Sequence, residues 1–442
     1  MFAAQDDAGV RNELLAAMAE ARAQTDRLFT LVKKDSLYQR PIPERHRIVF
    51  YIGHLEAFDW NLAQGLVPHL RPFHTEFDRL FAFGIDPVDG GLPTDQPKDW
   101  PVLSEVHRYR DRVREALDAV LENSSFWRAS YDGFSAATLL NVAIEHRLMH
   151  AETLAYMLHQ LPLEQKIRQG NAPAHTARPL EFGMIEIPGG AATLGLAHDD
   201  FAFGWDNEFE AHRVSVPAFE IDRYKVTNGQ YLEFVDAGGY QDRSLWPEAG
   251  WSWKTEQNFS HPLFWKRRNG RWYYRTMFDE LPLPLDWPVF VSHAEASAYA
   301  SWSGQKLPTE AQWHRAAYGT ANGSERAYPW GAETPDRTHG YFDFRRWDPT
   351  PVNASPRGAS AFGVAGLVGN GWEWTSSVFE PFEGFQPFSF YPGYSANFFD
   401  NKHYVLKGGS IRTAACMLRR SFRNWFQPHY PYVYAGFRCV SD

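Results

Sequence analysis

Apolar residues recur at helical spacing in four long segments of the first 162 residues. These segments are residues 8–33, 46–68, 101–123 and 135–161. Ser135 can cap the fourth segment, and Pro162 ends it. Four helices of this length, with one long connection after the second, predict a four-helix bundle over residues 1–162.

The pattern changes after the bundle. Residues 163–178 are polar and contain Gly and Pro, which predicts a linker between two domains. In residues 179–442, short β-like segments alternate with long loops, and helical spacing occurs only at 227–236 and within 292–318. The β-like segments include residues 183–188, 212–226 and 402–410. We therefore predict a multidomain fold, an α bundle followed by a loop-rich α/β domain over residues 179–442.

Composition narrows the class of protein. A length of 442 residues favours two or three domains, and 44% hydrophobic with 22% charged residues is typical of globular chains. No run approaches the ~18 apolar residues of a membrane span, and the N-terminus does not resemble a signal peptide. A net charge of −9 argues against a nucleic-acid partner. The two cysteines, Cys416 and Cys439, exclude a disulfide framework, so we expect a cytoplasmic protein without a membrane partner.

Aromatic residues make up 16% of the chain and include 17 Trp. Such a content indicates loops packed by aromatic side chains, an aromatic-lined pocket, or both.

Three histidines carry the candidate chemistry of the bundle. His146 and His150 are four residues apart, so they project from one face of the fourth predicted helix, on its apolar stripe. His54 lies on an apolar stripe of the second helix, with Phe50 and Phe58. Histidines on facing helices can converge on one metal ion, although buried histidines with a purely structural role give the same pattern. Imidazole suits zinc, iron, copper and nickel, and three histidines leave coordination positions open for substrates.

Acidic residues near these histidines are further candidates. Glu56, Glu145 and Glu152 are possible metal ligands or partners of the ligands, and an exposed position would fit them equally well. Asp59 and Asn61 are similar candidates, and a solvated polar face is the alternative for both.

The second domain resembles the fold of formylglycine-generating and sulfatase-modifying enzymes, which is C-type-lectin-like. The matching segments are residues 225–235, 287–319, 366–377, 405–411 and 435–440. The formylglycine-generating enzymes use a pair of cysteines near the C-terminus. Here the matching segment contains Cys439 alone, because Cys416 lies upstream of it, and that activity is not expected.

The whole chain resembles the ergothioneine sulfoxide synthases, in which a DinB-type bundle precedes this fold. These non-haem iron enzymes join a sulfur donor to the imidazole carbon of hercynine, the trimethylated betaine of histidine. Their ligand motifs match IGHLEAFDW around His54 and IEHRLMHAETL around His146 and His150. The resemblance implies Fe(II) bound by these three residues, with hercynine, a thiol or selenol donor and O2 as small-molecule partners.

The donor is expected to differ from γ-glutamylcysteine. In relatives that use this donor, an Asp and an Arg in the segment after the Arg-Asn pair bind the charged groups of the donor. Here those positions are Phe426 and Tyr430, and no Arg occurs between Arg79 and Arg108, where the family has further donor-binding arginines. An aromatic pocket suits a sugar, which points to the selenoneine synthase branch with a selenosugar donor. The alternative is a sulfoxide synthase that uses free cysteine.

The resemblance also implies residues that bind hercynine. Trp425, Phe426 and Trp372 are candidates for cation–π contact with the trimethylammonium group. Asn424 is a candidate for a hydrogen bond to the carboxylate or the imidazole. Met149 stands where some relatives have a Gln that contacts hercynine.

A tyrosine near the iron donates a proton in relatives. Tyr391 and Tyr394 are the candidates here, with Ser389 and Phe390 as alternative matches to the same position.

Two other classes of function fit parts of the pattern. A binding module with a structural zinc and a sugar-holding second domain is one, and a DinB-type thiol transferase is the other. The thiol transferase requires only the bundle and leaves the second domain without a role.

Overall fold

The computed structural model describes residues 3–67, 70–82, 92–128, 130–131, 133–170, 179–198 and 202–441. It divides into two compact units, residues 1–169 and 170–442. Residues 171–178, half of the predicted linker, and residues 83–91 of the connection after the second long helix lie outside the described residues. Among the described residues, no helix is long and apolar enough to cross a membrane.

The first unit contains the four long helices that the apolar spacing predicts. Its helices are α1 (Ala3–Phe29), α2 (Ile48–Leu66), α3 (Thr75–Leu80), α4 (Leu103–Glu122), α5 (Ser124–Trp127) and α6 (Ala136–Gln160). A short hairpin of β1 (Ser130–Tyr131) and β2 (Phe134–Ser135) precedes α6. The Ser135 hydroxyl accepts a hydrogen bond from the Thr138 N–H at 3.1 Å, which confirms the predicted cap. Helix α1 packs on α6, and α2 packs on both α4 and α6.

The second unit mixes short strands and helices, as predicted. Its first strands are β3 (Met184–Ile187), β4 (Gly190–Leu194), β5 (His212–Val216), β6 (Phe219–Asp222), β7 (Trp265–Arg268), β8 (Arg271–Arg275) and β9 (Glu280–Pro282). Its later strands are β10 (Trp372–Val378), β11 (Tyr404–Lys407), β12 (Asn424–Phe426), β13 (Ala435–Gly436) and β14 (Val440–Ser441). The largest sheet has the order β12-β11-β10-β13, with β10 and β13 parallel. Smaller sheets are β14-β6-β3, β4-β5 and β7-β8-β9.

The helices of this unit are α7 (Asn228–Asp236), α8 (Glu248–Glu256), α9 (His293–Trp302) and α10 (Glu310–Tyr318). Capping boxes begin α7, α9 and α10, because Thr227, Ser292 and Thr309 each exchange hydrogen bonds with the residue three positions later. The prediction of only two helical regions is wrong for α8. Its sequence contains Gly250 and two half-buried tryptophans, Trp251 and Trp253, so it has no clear apolar stripe.

The β7–β8 hairpin was also absent from the prediction, although the sequence contains a signal for it. Asn269 and Gly270 form its turn with φ angles of 49° and 76°. Two consecutive positive φ angles define the tight hairpin turn that Asn-Gly favours.

The interior of the second unit is rich in tryptophan. Trp205, Trp265, Trp313 and Trp374 are fully buried. A buried ion cluster joins the elements around β10, because Glu373 accepts hydrogen bonds from Arg438 and from the Trp313 indole. Aromatic packing therefore compensates for the short strands.

Candidate metal centre

The three predicted histidines meet inside the bundle. His54 lies in α2, and His146 and His150 lie one turn apart in α6. Their side chains are 4%, 3% and 3% exposed. Each has one nitrogen within 4.8 Å of a nitrogen of the other two, and among the described residues this is the one cluster of His, Cys, Asp and Glu with metal-binding geometry.

The Nε2 atoms face a common point. Nε2 of His150 lies 3.1 Å from Nε2 of His54 and 3.1 Å from Nε2 of His146. A neutral imidazole nitrogen is either a donor or an acceptor, so Nε2 of His150 can make only one well-aligned hydrogen bond to its two neighbours. A cation between the three rings satisfies all of the nitrogen lone pairs at once.

The orientation of His54 is fixed by the backbone. Its Nδ1–H donates to the carbonyl oxygen of Phe81 at 2.7 Å, just after α3. This contact leaves Nε2 of His54 unprotonated and directed toward the other rings. A second hydrogen bond that selects the tautomer is characteristic of metal-binding histidines.

Aromatic rings hold the imidazoles in place. Phe50 stacks on His54 with ring centroids 4.8 Å apart, and Phe58 stacks on His146 at 3.5 Å. Tyr51 lies 5.6 Å from the ring of His150. The predicted apolar stripe of α2 therefore supports two of the three rings.

Burial keeps the histidines neutral. It lowers the pKa of His54 to about 4, and it lowers the pKa of both His146 and His150 well below the usual value. The neutral imidazole is the form that binds a metal ion.

Two of the three nitrogen–nitrogen distances are 3.1 Å, and they can be compared with the edges of common coordination polyhedra. An octahedron with adjacent ligand atoms 3.1 Å apart has metal–ligand bonds of about 2.2 Å. A tetrahedron with the same edge has bonds of about 1.9 Å, which is shorter than the zinc–imidazole distance of about 2.0–2.1 Å. The three imidazoles therefore fit a metal ion with coordination positions left open.

The acidic candidates have other partners. Glu56 is 1% exposed and forms ion pairs with Arg147 and Arg114, which hold the pKa of its carboxyl group at about 2. Asp59 is also buried, and the Arg147 guanidinium lies 2.5 Å from its Oδ2 atom. Asp59 therefore does not lie on the solvated face that was the alternative for it, whereas Asn61 is exposed. Sequence analysis missed Arg147, a fully buried cation directly after His146.

In the second unit, one cluster joins three of the predicted residues. The Tyr394 ring lies 5.3 Å from Trp425 and 5.6 Å from Tyr391. Tyr394 also stacks on Trp205 with ring centroids 4.0 Å apart, and Trp425 stacks on Phe379 at 4.2 Å. Tyr394 is buried, whereas Tyr391 is half-buried.

The other predicted residues lie in strands β10 and β12 of the largest sheet, or just after β12 in the case of Tyr430. Phe426 and Tyr430 stack on each other with centroids 5.3 Å apart and parallel rings. The Asn424 side-chain oxygen accepts a hydrogen bond from the Trp425 N–H at 2.9 Å. Trp372 is buried in β10 with its ring 6.0 Å from Phe422.

A buried acid beside Tyr394 was not predicted. The carboxylate of Asp206 accepts a hydrogen bond from the Ser395 hydroxyl at 2.6 Å, and burial raises the pKa of Asp206 to about 6. Its signal in the sequence is weak, because a single Asp in the run Trp205–Glu208 resembles any polar turn.

Comparisons with known proteins match both units. Residues 17–154 match the DinB superfamily, and residues 170–442 match the Sulfatase-modifying factor enzyme 1-like domain. These matches confirm the fold classes that the sequence resemblance implied for the two parts of the chain.

Relatives match along nearly the whole chain. The hercynine oxygenase of Mycobacterium tuberculosis is 40% identical over 97% of this chain and 99% of its own. The hercynine oxygenase of Mycolicibacterium smegmatis is 33% identical over 98% of this chain and 99% of its own. The ergothioneine biosynthesis protein 1 of Neurospora crassa is 29% identical over 93% of this chain and 56% of its own length. With both domains matched in order and over nearly full length, the chain belongs to the hercynine oxygenase family.

Proposed function

We propose that this protein forms a carbon–chalcogen bond on the imidazole carbon of hercynine, using O2 and an Fe(II) ion bound by His54, His146 and His150. The observation that carries the proposal is the buried convergence of three neutral imidazoles whose Nε2 atoms lie within 4.8 Å of one another. The choice of hercynine as the substrate is based on two relatives, 40% and 33% identical to this chain, that are named hercynine oxygenases.

The bound iron would supply open positions that bring O2 and the two substrates together, and electrons for the reduction of O2. The reaction balances without another reductant. The hercynine C–H and the donor S–H or Se–H lose their hydrogens as the new bond forms. One oxygen atom of O2 then leaves as water, and the other becomes the sulfoxide or selenoxide oxygen.

The protein's own residues hold the ligands and exclude water. The Phe81 carbonyl fixes His54, and Phe50 and Phe58 cover two of the imidazoles with apolar surface. Because all three rings are buried, solvent has little access to the ion from the bundle interior.

We further propose a selenosugar as the donor. The segment from Asn424 to Tyr430 contains no Asp, Glu, Lys or Arg, and burial lowers the pKa of His429, so that this segment carries little charge. The preceding Arg423 is buried and is paired with Glu310 at 3.2 Å. Without charged partners, a zwitterionic or tricarboxylic donor would lose hydration that the segment does not replace. The stacked pair Phe426–Tyr430 suits the C–H face of a sugar instead.

Asn424, Trp425, Phe426, Tyr430 and Trp372 remain our proposed substrate-binding residues. Trp425 is the favoured contact for the trimethylammonium group, since it lies in an aromatic cluster with Tyr394 and Phe379.

Tyr391 and Tyr394 are our proposed proton donors. Tyr394 is favoured because it contacts Trp425 directly. Product formation by Tyr391→Phe and Tyr394→Phe distinguishes them, since loss of the donor slows turnover without removing the iron.

The test is an aerobic assay with hercynine, Fe(II) and separate donors: a selenosugar, a thiosugar, cysteine and γ-glutamylcysteine. Mass spectrometry should detect a hercynine adduct, formed fastest with the selenosugar. Preferred turnover of γ-glutamylcysteine would overturn the proposed donor. Absence of product with every donor, in protein that holds iron, would overturn the proposed reaction.

Free cysteine is the second candidate donor. The match to an ergothioneine biosynthesis protein favours sulfur chemistry, and cysteine is the smaller of the charged donors. Faster turnover with cysteine than with either sugar would select this alternative.

A further inference from the structure

We infer that Arg147 and Glu56 are positioning residues for the metal centre: their buried ion pair sets the register of α6 against α2, and thereby the distance of His54 from His146 and His150. The inference rests on the proposed metal site. It concerns residues that do not belong to the ligand set and that the proposed chemistry does not use.

The contacts of Arg147 lie next to the ligands on both helices. Its Nη1 and Nη2 atoms donate to the two carboxylate oxygens of Glu56 at 3.1 Å each. Nη2 also donates to the Leu55 carbonyl oxygen at 3.0 Å and to the Asp59 carboxylate at 2.5 Å. The Arg147 guanidinium thus binds residues of α2 that directly follow His54, and Arg147 itself directly follows His146 in α6.

The ion pair and the metal centre are separate contacts between the same two helices. Successive helical residues are rotated by about 100°, so Arg147 and His146 leave α6 in different directions, as Glu56 and His54 leave α2. A bidentate Arg–carboxylate pair is strongly directional. Sliding α6 along α2 therefore breaks the ion pair before the histidines can take a different spacing.

The other two long helices join the same network, α4 by direct contact with Glu56 and α1 through Arg114. Arg114 of α4 donates to Glu56 through Nε at 3.0 Å and through Nη2 at 2.7 Å. Arg114 also forms a bidentate pair with Asp26 of α1, at 2.7 and 2.8 Å. The network therefore joins all four long helices near the level of the histidines.

Stability alone is a poor explanation for this network. Arg147 and Glu56 are 0% and 1% exposed, and removing both charges from water offsets much of their attraction. Apolar replacements of a whole buried ion pair are often neutral for folding, whereas loss of one partner is costly. Geometric specificity is what a directional ion pair adds beyond apolar packing.

The test separates metal affinity from folding stability. Co(II) serves as the probe, and its absorption bands report coordination while titration of the metal-free protein gives the dissociation constant. The variants are Arg147→Lys, which keeps the charge and loses the bidentate geometry, and the triple variant Arg147→Met/Glu56→Gln/Asp59→Asn, which removes Arg147 together with both buried carboxylates that it binds. Leu154→Ala is the control, because Leu154 is fully buried in α6 and leaves the ion pair intact.

We expect both variants to bind Co(II) about 10- to 100-fold more weakly than the wild type, with shifted absorption bands. The triple variant should unfold within a few degrees of the wild type, because it leaves none of the three buried charges without its partner. Leu154→Ala should lower the unfolding temperature with an unchanged Co(II) spectrum. Wild-type affinity and spectrum in the variants would overturn the positioning role, as would unfolding of the triple variant at 25 °C. If the wild type itself binds no Co(II), the proposed function fails as well.

Discussion

Gly53→Ala tests whether the Phe81 carbonyl orients His54. A Cβ atom at Gly53 would lie 2.4 Å from the Phe81 ring, far inside the optimal carbon–carbon separation of about 3.5–4.0 Å. Phe81 must therefore move by about 1 Å or more. If its backbone follows, the 2.7 Å contact between His54 Nδ1 and the Phe81 oxygen exceeds hydrogen-bonding distance.

The energetic cost has opposing parts. Overpacking costs about 1–3 kcal/mol, and the lost hydrogen bond costs about 0.5–1.5 kcal/mol. The higher helix propensity of Ala returns about 1 kcal/mol. We expect a net loss of about 0.5–3.5 kcal/mol, centred near about 2 kcal/mol, which lowers the unfolding temperature of a unit of this size by several degrees. Loss of the oriented tautomer should weaken metal binding by about 10- to 100-fold.

Gly9→Ala is the matched control, because it makes the same change in α1 with no heavy atom within 4 Å of the new Cβ. It should leave metal affinity unchanged. Calorimetry of the metal-free proteins and anaerobic Fe(II) titration measure the two quantities. The reasoning is refuted if Gly53→Ala binds Fe(II) within about twofold of Gly9→Ala.

Three further outcomes are expected. His150→Ala should lower bound iron from about one per chain to nearly none and abolish the hercynine adduct, as measured by metal analysis and mass spectrometry; retained turnover would refute the ligand set. Because burial raises the pKa of Asp206 to about 6, the folded state binds its proton more tightly than the unfolded state. The free energy of unfolding of the wild type relative to Asp206→Asn should therefore fall by up to about 3 kcal/mol as pH rises from about 4 to 6. Chemical denaturation measures this difference, and a difference that stays constant over this pH range would contradict the prediction. The double variant Phe426→Asp/Tyr430→Arg should raise kcat/KM for γ-glutamylcysteine at least tenfold relative to the selenosugar, and an unchanged donor ratio would remove these positions from donor selection.

Local signals predicted much of the fold. The Ser135 cap and the spacing of apolar residues located the long helices, because helix periodicity and capping act within a few residues. The spacing of His146 and His150 within one turn likewise placed two of the three clustered imidazoles on one face. Helix α8 was missed because its side chains form no apolar stripe.

Contacts between distant segments could not be predicted. The Phe81 carbonyl and His54 are 27 residues apart, and Arg147 and Glu56 are 91 residues apart. Sequence spacing contains no information about such pairs. The burial of Asp59 follows from the same network, and for that reason a residue that resembled a solvated acid lies in the interior.

X-ray absorption of protein loaded anaerobically with Fe(II) tests the central claim most directly. We predict a six-coordinate ion with scattering from three imidazoles at about 2.2 Å, as the 3.1 Å nitrogen spacing requires of an octahedral site. A site without imidazole scattering, or a closed four-coordinate site with no position for substrates, would contradict the account.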